Sequence, residues 1–250
     1  MFTGVRDTVS DVRSQVWRSA DRPPSLRPGE LHVWLWRIDP SQEHQLGSTL
    51  SPGEWERASK FKQSEHRADF VVCRGALRGL LGHYVGTEPP QVQIFYTEDG
   101  KPFVDCRTAN LKFNISHSCG YALFAFSLGL EVGVDIERMD AGVIDAGLLK
   151  HCLHDNELET YHSLSADEKA PFFFKCWTRK EAYLKLRGDG FAVSPTEIDL
   201  LSIPENELGS GENRVCFTGL PQIDAYSAVV ATKDRPQNIG YYKLGSSLFK

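Results

Sequence analysis

The sequence lacks a long hydrophobic run and lacks an excess of positive charge. Its longest uncharged stretch, residues 113–130, contains an asparagine, a histidine and two glycines, so it predicts two strands around a turn and not a membrane span. The 28 lysines and arginines are outnumbered by 33 aspartates and glutamates, which gives a net charge of -5. General affinity for nucleic acid or an anionic membrane is therefore not expected, and an anionic ligand would need a local basic patch.

Closely spaced cysteines are also missing. The six cysteines lie far apart and form no CxxC pair. Charged residues, acidic ones among them, recur within the first 13 positions, so neither a secretory signal nor an organelle transit peptide is expected. The sequence therefore predicts a cytoplasmic protein with reduced thiols.

The size and composition are those of a globular protein. A chain of 250 residues accommodates one large domain or two small ones. The hydrophobic share of 41% and the charged share of 24% exclude a disordered, collagenous or coiled-coil chain. Residues 1–30 are polar and end in a proline-rich stretch, which predicts a loosely packed N-terminal lead-in.

Strands and helices are mixed without a regular βαβ alternation, which predicts an α+β fold. In residues 31–38 hydrophobic side chains alternate as in a strand, with Trp34 on one face and Val33 on the other. Capping boxes at residues 51–54 and 165–168 predict one helix to about residue 85 and another to residue 187, stopped by Gly188-Asp189-Gly190. Further strands are expected at residues 92–97, 111–116, 121–128, 131–137, 196–202, 213–218, 225–232 and 239–244.

The strand VGVDIE (residues 132–137) contains two acidic side chains on one face. The two-residue period of a strand places Asp135 and Glu137 together, opposite Val134 and Ile136. Adjacent carboxylates repel each other unless a cation or a proton lies between them, and oxygen ligands of this kind suit Mg²⁺. The alternative is a solvated strand face.

The second helix contains a local basic excess in an acidic protein. Glu181 and Lys185 lie one turn apart on the same face. Five basic residues surround that single acid: Lys175, Arg179, Lys180, Lys185 and Arg187. A multiply phosphorylated ligand would need such a patch, with Glu181 available as a third metal ligand; the alternative is an ordinary surface ion pair.

Two histidine patterns carry weaker signals. His117 follows an apolar strand, where it could bind phosphate or serve only the structure. His151 and His154 have the i,i+3 spacing of zinc ligands, but no convincing third ligand accompanies them.

Four segments in order, GKP (100–102), FNISHS (113–118), VGVDIE (132–137) and FFKCWTRKEAYLKLRGDG (173–190), closely resemble the 4′-phosphopantetheinyl transferase superfamily of the Sfp type. The signature of that family is a G-V/I-D-I/V-E strand followed about 40 residues later by W-S/T-x-K-E-A-x-x-K, and both halves are present. The resemblance covers roughly residues 31–244.

The resemblance implies a fold and an activity. Members of the family fold as two similar α+β halves related by a pseudo-twofold axis, here residues 31–131 and 132–250, with coenzyme A (CoA) and Mg²⁺ in the cleft between them. They transfer the 4′-phosphopantetheine arm of CoA to a serine of an apo acyl or peptidyl carrier protein and release 3′,5′-ADP. A monomer without nucleic-acid or membrane partners is expected.

The resemblance also implies roles for individual residues. The metal ligands are expected to be Asp135, Glu137 and Glu181. The CoA contacts are expected to be Arg57, Lys101, Ser116, His117, Lys180 and Lys185. The expected catalytic residues are Glu181, Lys185 and Glu157, and the serine proton is expected to go to Glu181, Glu157 or a metal-bound water.

Two points remain open at the level of sequence. The segment HRAD (66–69) departs from the more basic family pattern, which leaves the roles of Arg67 and Arg74 undecided. The competing functions are a catalytically silent CoA- or carrier-binding regulator and a zinc hydrolase built on His151 and His154. Intact Asp135 and Glu181 argue against a silent protein, because a carboxylate cluster is costly to keep.

Overall fold

The computed structural model describes residues 16–20, 22–105, 110–188, 193–202, 207–208 and 214–245. Helices and strands alternate irregularly, so the α+β prediction is confirmed. In chain order the elements are β1 (Arg18–Ala20), β2 (Glu30–Arg37), α1 (Glu43–Gly47), α2 (Pro52–Ser59), α3 (Ser64–Val85), β3 (Ile94–Tyr96), β4 (Pro102–Val104), β5 (Leu111–Ser118), β6 (Tyr121–Leu128), β7 (Val132–Arg138), α4 (Ala146–Cys152), α5 (Asp155–Ser163), α6 (Ala166–Arg187), β8 (Glu207–Leu208), β9 (Val215–Gly219), β10 (Tyr226–Thr232) and β11 (Asn238–Leu244).

Two sheets and one hairpin organise these strands. The larger sheet has the order β1-β11-β2-β6-β5, the smaller has the order β7-β10-β9-β8, and β3 pairs with β4 alone. Strand β11, late in the chain, returns to the larger sheet and pairs in parallel with β2. Strand β1 lies within the expected lead-in and pairs with β11, and Trp17 beside it packs edge-on against Tyr241.

Three apolar layers bind the sheets and the long helices together. One face of β2, with Trp34, packs with β5, β6 and α3. The other face, with Val33, packs with Val134 of β7 and Val230 of β10, so that the two sheets lie face to face. Helix α6 covers the outer side of β9 and β10. The alternation predicted for β2 is confirmed, since both of its faces are buried in different layers.

The helix predictions hold in part. Both capping boxes form, and the αL conformation of Gly188 ends α6 as predicted. The single helix expected from residue 51 is instead two, α2 and α3, because the chain turns at residues 60–63 and Phe61 folds back onto Phe70. Asp189, Gly190 and residues 1–15 of the expected lead-in lie outside the described residues.

The strand expected at residues 196–202 is wrong. Pro195–Glu197 form a 3-10 turn, started by a hydrogen bond from the Thr196 amide to the Ser194 side chain. Asp199 then accepts a hydrogen bond from the Leu201 amide, which bends the chain again. Short polar side chains that bond to the nearby backbone favour turns over strands.

Candidate active site

The site lies where the edge strands β5 and β7 of the two sheets meet. Alternate side chains of β5 accept hydrogen bonds from the backbone of β7: Asn114 from the Val134 amide at 3.0 Å, Ser116 from the Ile136 amide at 3.4 Å and Ser118 from the Arg138 amide at 3.2 Å. The edge amides of β7 are thereby satisfied without a neighbouring strand. These contacts fix the VGVDIE segment against the FNISHS segment.

A glycine brings α6 onto the same strand. A Cβ atom on Gly133 would lie 2.1 Å from the Ala182 carbonyl oxygen and 2.4 Å from the Leu186 nitrogen. Only glycine permits this approach. The face of β7 that carries Asp135 and Glu137 therefore lies directly against the face of α6 that carries Glu181 and Lys185. The strand period and the helix spacing had predicted the two faces separately.

Asp135 is the centre of the site. It is 1% exposed, and its Oδ1 accepts hydrogen bonds from the Ser116 hydroxyl at 2.8 Å and from the Lys185 ammonium at 2.6 Å. The Lys185 ammonium also donates to the Ser116 oxygen at 3.0 Å. The other oxygen, Oδ2, is buried and has no hydrogen-bond partner among the described residues.

Two further carboxylates lie in the electrostatic field of Asp135. Glu137 accepts a hydrogen bond from Ser118 at 2.8 Å. Burial raises the pKa of Glu137 and that of Glu181, and the charge of Asp135 raises both further, whereas Lys185 lowers both. Three acids whose charged forms disfavour one another make a site where a cation is stabilised.

The oxygen donors of the site are of the kind that Mg²⁺ prefers. Among the described residues no three His, Cys, Asp or Glu side chains already form a metal-binding group. The buried, partnerless Oδ2 of Asp135 nevertheless offers a hard oxygen ligand beside Glu137 and Glu181. Mg²⁺ keeps several waters and needs only one or two protein carboxylates beside substrate phosphates, so the residues present fit this ion.

A cavity of about 270 Å³ opens beside these residues. Its walls include Asp99, Gly100, Lys101 and Pro102 of the hairpin, Asn114 and Ile115 of β5, and Glu181, Leu184, Lys185 and Gly188 at α6. His117 lies at the exposed end of β5, and its pKa is lowered by desolvation and by the charge of Lys185, while Asp69 raises it. The walls of this opening thus carry two carboxylates, Asp99 and Glu181, and two lysines, Lys101 and Lys185.

Comparisons with known proteins agree with this arrangement. Residues 35–128 match a family model described as the N-terminal part of 4′-phosphopantetheinyl transferase. Residues 131–235 match the 4′-phosphopantetheinyl transferase superfamily model. The chain belongs to this superfamily. It is a 4′-phosphopantetheinyl transferase, as the sequence resemblance predicted.

The relatives include bacterial proteins and a protein of the rat. The transferase is 41% identical over 190 residues to the 4′-phosphopantetheinyl transferase HetI of Nostoc sp., a match that covers 70% of this chain and 80% of HetI. It is 26% identical over 234 residues to the L-aminoadipate-semialdehyde dehydrogenase-phosphopantetheinyl transferase of Rattus norvegicus, with 82% and 75% covered. Similarity to the 4′-phosphopantetheinyl transferase Sfp of Bacillus subtilis is 24% over 157 residues, with 62% and 68% covered.

Glu157 and Lys180 do not occupy the roles expected of them in this transferase. Both side chains have 0% exposure and form a buried ion pair with 2.5 Å between Nζ and Oε2. Lys180 also donates to the Cys152 carbonyl, while Glu157 accepts from the His154 and Leu200 amides. Glu157 cannot reach a serine hydroxyl from this position, and Lys180 cannot reach a phosphate. The structure therefore assigns the pair to holding α6 against α5.

Three arginines lie on α2 and α3, and two of them, Arg57 and Arg74, pack against the same aromatic ring. The guanidinium groups of Arg57 and Arg74 lie 5.4 and 5.6 Å from the centre of the Phe70 ring. Arg57 is exposed, so a ligand can reach its guanidinium group. Arg74 is 8% exposed and lies 3.7 Å from Glu54, and Arg67 pairs with Glu43 at 3.1 Å. Of these three, Arg57 remains the candidate CoA contact.

The structure gives a structural role to His154, one of the two residues of the zinc hydrolase hypothesis. The His154 ring nitrogen Nδ1 accepts a hydrogen bond from the Asn156 amide and so caps the start of α5. A capping role explains His154 without a metal.

Sequence reasoning missed several positioning residues. Asn114 and Ser118 fix β7, Glu131 pairs with Lys101, and Trp177 lowers the pKa of Glu137. The signal for the first two was the polar side chain at every second position of β5. Trp177 lies one helical turn before Glu181, on the face already predicted to matter.

Proposed function

We propose that this transferase moves 4′-phosphopantetheine from CoA to a serine of an apo acyl or peptidyl carrier protein, depends on Mg²⁺ and releases 3′,5′-ADP. The observation that carries the proposal is the convergence of Ser116, Asp135 and Lys185 from three elements within 3.0 Å of one another. A carboxylate with one open oxygen beside an ammonium group suits a metal-bound pyrophosphate. The names of the relatives state 4′-phosphopantetheinyl transfer, which supports the transferred group in this proposal.

Phosphate binding would fall to accessible positive groups on α2, β5 and α6. The Lys185 side chain is 28% exposed, so its ammonium can hold a phosphate oxygen while Ser116 keeps it in place. His117 and Arg57 are exposed and would meet the remaining phosphate charge. Charge-assisted contacts of this kind bind phosphates without requiring a positive net charge on the whole protein.

Asp135, Glu137 and Glu181 would hold the metal ion. Mg²⁺, when bound, neutralises charge on the pyrophosphate oxygens. The open Oδ2 of Asp135 would be the first ligand, because it is buried and has no other partner among the described residues, while Ser116 holds Oδ1 of the same carboxylate.

The chemical step is an in-line phosphoryl transfer. The carrier serine oxygen forms a bond to the β-phosphorus of CoA, and the bond from that phosphorus to the bridging oxygen breaks. The bonding electrons leave with 3′,5′-ADP, whose developing charge Lys185 stabilises. The serine proton passes to Glu181, which faces the cavity, whereas Glu157 is fully buried.

A carrier assay tests this function. The protein is incubated with CoA, Mg²⁺ and an apo carrier from a fatty acid, polyketide or peptide synthase, and the carrier mass is measured. We expect the mass of at least one carrier to rise by one phosphopantetheine group, and no rise for a carrier whose serine is replaced by alanine. CoA binding without any mass gain on all three carriers would instead favour a silent regulator.

The remaining expectations belong to the same proposal. We propose a cytoplasmic protein on the basis of its widely spaced cysteines, a monomer on the basis of the family, and no nucleic-acid or membrane partner on the basis of its net negative charge. Among the described residues no helix has the length and apolar character needed to cross a membrane. Gel filtration with light scattering tests the monomer.

A further inference from the structure

Lys101 lies at the turn of the β3–β4 hairpin, and its side chain leaves the hairpin altogether. The turn is ordered by hydrogen bonds from the Thr97 amide to the Lys101 carbonyl and from the Gly100 amide to the Thr97 carbonyl, both at 2.9 Å. Lys101 also donates its own amide to the Thr97 hydroxyl. The base of the side chain is therefore fixed before the ammonium group reaches any partner.

The ammonium group of Lys101 contacts two other elements. It donates to the Leu186 carbonyl at 2.8 Å and to Glu131 Oε2 at 3.3 Å. Leu186 lies in the last turn of α6, where carbonyl groups lack intrahelical partners and a cation interacts favourably with the helix dipole. Glu131 immediately precedes β7, the strand that carries Asp135. One side chain thus joins the hairpin, α6 and the start of β7.

The packing around this contact is close. The Lys101 side chain is 16% exposed, and a Cβ atom on Gly188 would lie 2.6 Å from the Lys101 Cδ. Gly188 has φ +73 and also ends α6. The same glycine therefore ends the helix and leaves room for the lysine stem.

The hairpin and α6 both contribute walls to the 270 Å³ cavity. Asp99, Gly100 and Pro102 line it from the hairpin, and Glu181, Leu184 and Lys185 line it from α6. A contact that ties the hairpin turn to the end of α6 sets the distance between these walls.

We propose that Lys101 is a positioning residue that fastens the hairpin to α6 and β7 and so fixes the width of the cavity that receives CoA. Its effect on CoA rests on the proposed function, whereas the fastening itself does not. If Lys101 contacted only the phosphates of CoA, removal of its ammonium group would leave the order of the hairpin unchanged in the ligand-free protein. If Lys101 fastens the hairpin, the same removal loosens the hairpin before any ligand binds.

Hydrogen exchange on the ligand-free protein tests the fastening. In Lys101→Met we expect the amides of Thr97, Gly100 and Gly188 to exchange about fivefold faster than in the wild type, because a helix-end contact and a partly exposed ion pair are lost. Lys101→Arg should restore slow exchange. The control is Lys112→Met, which removes the other ion pair of Glu131 but leaves both contacts of Lys101 intact; it should leave these amides unchanged.

Steady-state kinetics test the consequence for the cavity. Lys101→Met should raise KM for CoA about fivefold with little change in kcat, and Glu131→Gln should raise KM by less. Unchanged exchange in Lys101→Met, together with a raised KM, would show a direct ligand contact and overturn the proposal. Faster exchange with an unchanged KM would overturn the role in the cavity. Absence of any transfer by the wild type would refute the proposed function, while the exchange result would still decide the fastening.

Discussion

The Lys185 ammonium lies 2.6 Å from Asp135 Oδ1. Lys185 is the residue expected to hold phosphate and Asp135 the residue expected to hold the metal ion, and without a ligand the two form an ion pair with each other. Ser116 bonds to both and sets their geometry. Lys185 and Ser116 thereby compensate the buried charge of Asp135 when no ligand is bound. This compensation stabilises the folded site. The second oxygen of Asp135 stays open.

Replacement of Lys185 tests its part in transfer. We expect Lys185→Met to lower kcat by at least an order of magnitude, since a charge-assisted contact to a developing anion contributes about 2–4 kcal/mol. The control is Lys169→Met, the same substitution far along α6 beside Tyr161. Activity is measured at a temperature where both variants are folded. A loss confined to thermal stability would show that Lys185 serves only as the partner of Asp135.

Replacement of Gly133 tests the approach of α6 to β7. A methyl group there overlaps the Ala182 carbonyl and the Leu186 nitrogen, so we expect Gly133→Ala to lower the free energy of unfolding by about 1–3 kcal/mol. It should also reduce transfer, because Glu181 and Lys185 move away from Asp135. Gly53→Ala is the control, since its added methyl group meets no atom within 4 Å. Equal behaviour of the two variants in urea denaturation would contradict the packing argument.

The buried pair of Lys180 and Glu157 should matter more for folding than for chemistry. Lys180→Met leaves a carboxylate buried without its partner, and we expect a loss of about 3–5 kcal/mol in the free energy of unfolding. The double variant Lys180→Met/Glu157→Gln should lose less than the sum of the single losses. If the Glu157→Gln protein that remains folded transferred phosphopantetheine at less than about a hundredth of the wild-type rate, this result would show that Glu157 is catalytic.

His32 should make the protein sensitive to acid. Burial lowers its pKa from 6.5 to about 4, although Glu30 raises it. Trp34 donates to the Tyr84 hydroxyl, which leaves the hydroxyl proton free for His32 Nδ1, and that contact needs a neutral imidazole. The unfolded chain binds a proton below pH 6.5 and the folded chain does not, so this contribution to stability falls between pH 6.5 and about 4.

The comparison of two variants isolates that contribution. His32→Phe should lose less free energy of unfolding than the wild type between pH 6.5 and 4, while the exposed His66→Gln should follow the wild type. Parallel curves for the wild type and His32→Phe would contradict the assignment.

The sequence predicted which face of a strand or helix a side chain occupies wherever the spacing of the residues alone determines that face. The two-residue period placed Asp135 and Glu137 opposite Val134, and the structure buries Val134 between the sheets. Glu181 and Lys185 share a face for the equivalent helical reason. The order of the motifs then identified the family without any coordinates.

Tertiary contacts explain what the sequence did not predict. Lys180 is adjacent to Glu181, yet it lies about 100° away around the helix axis, where it contacts Cys152 and Glu157. Glu157 lies 23 residues from Lys180 along the chain. The return of β11 to the larger sheet and the pairing of Lys101 with Leu186 likewise join distant segments. No local pattern contains such information.

The most direct test of the account compares Asp135→Asn with the wild type in the carrier mass assay and in CoA binding by calorimetry. The exposed Asp234→Asn serves as the control. The account predicts that Asp135→Asn stays folded, still binds CoA measurably through its basic residues, and transfers phosphopantetheine at least about 100-fold more slowly even in excess Mg²⁺. Transfer by Asp135→Asn at a rate near that of the wild type would contradict the central place of Asp135 in the site.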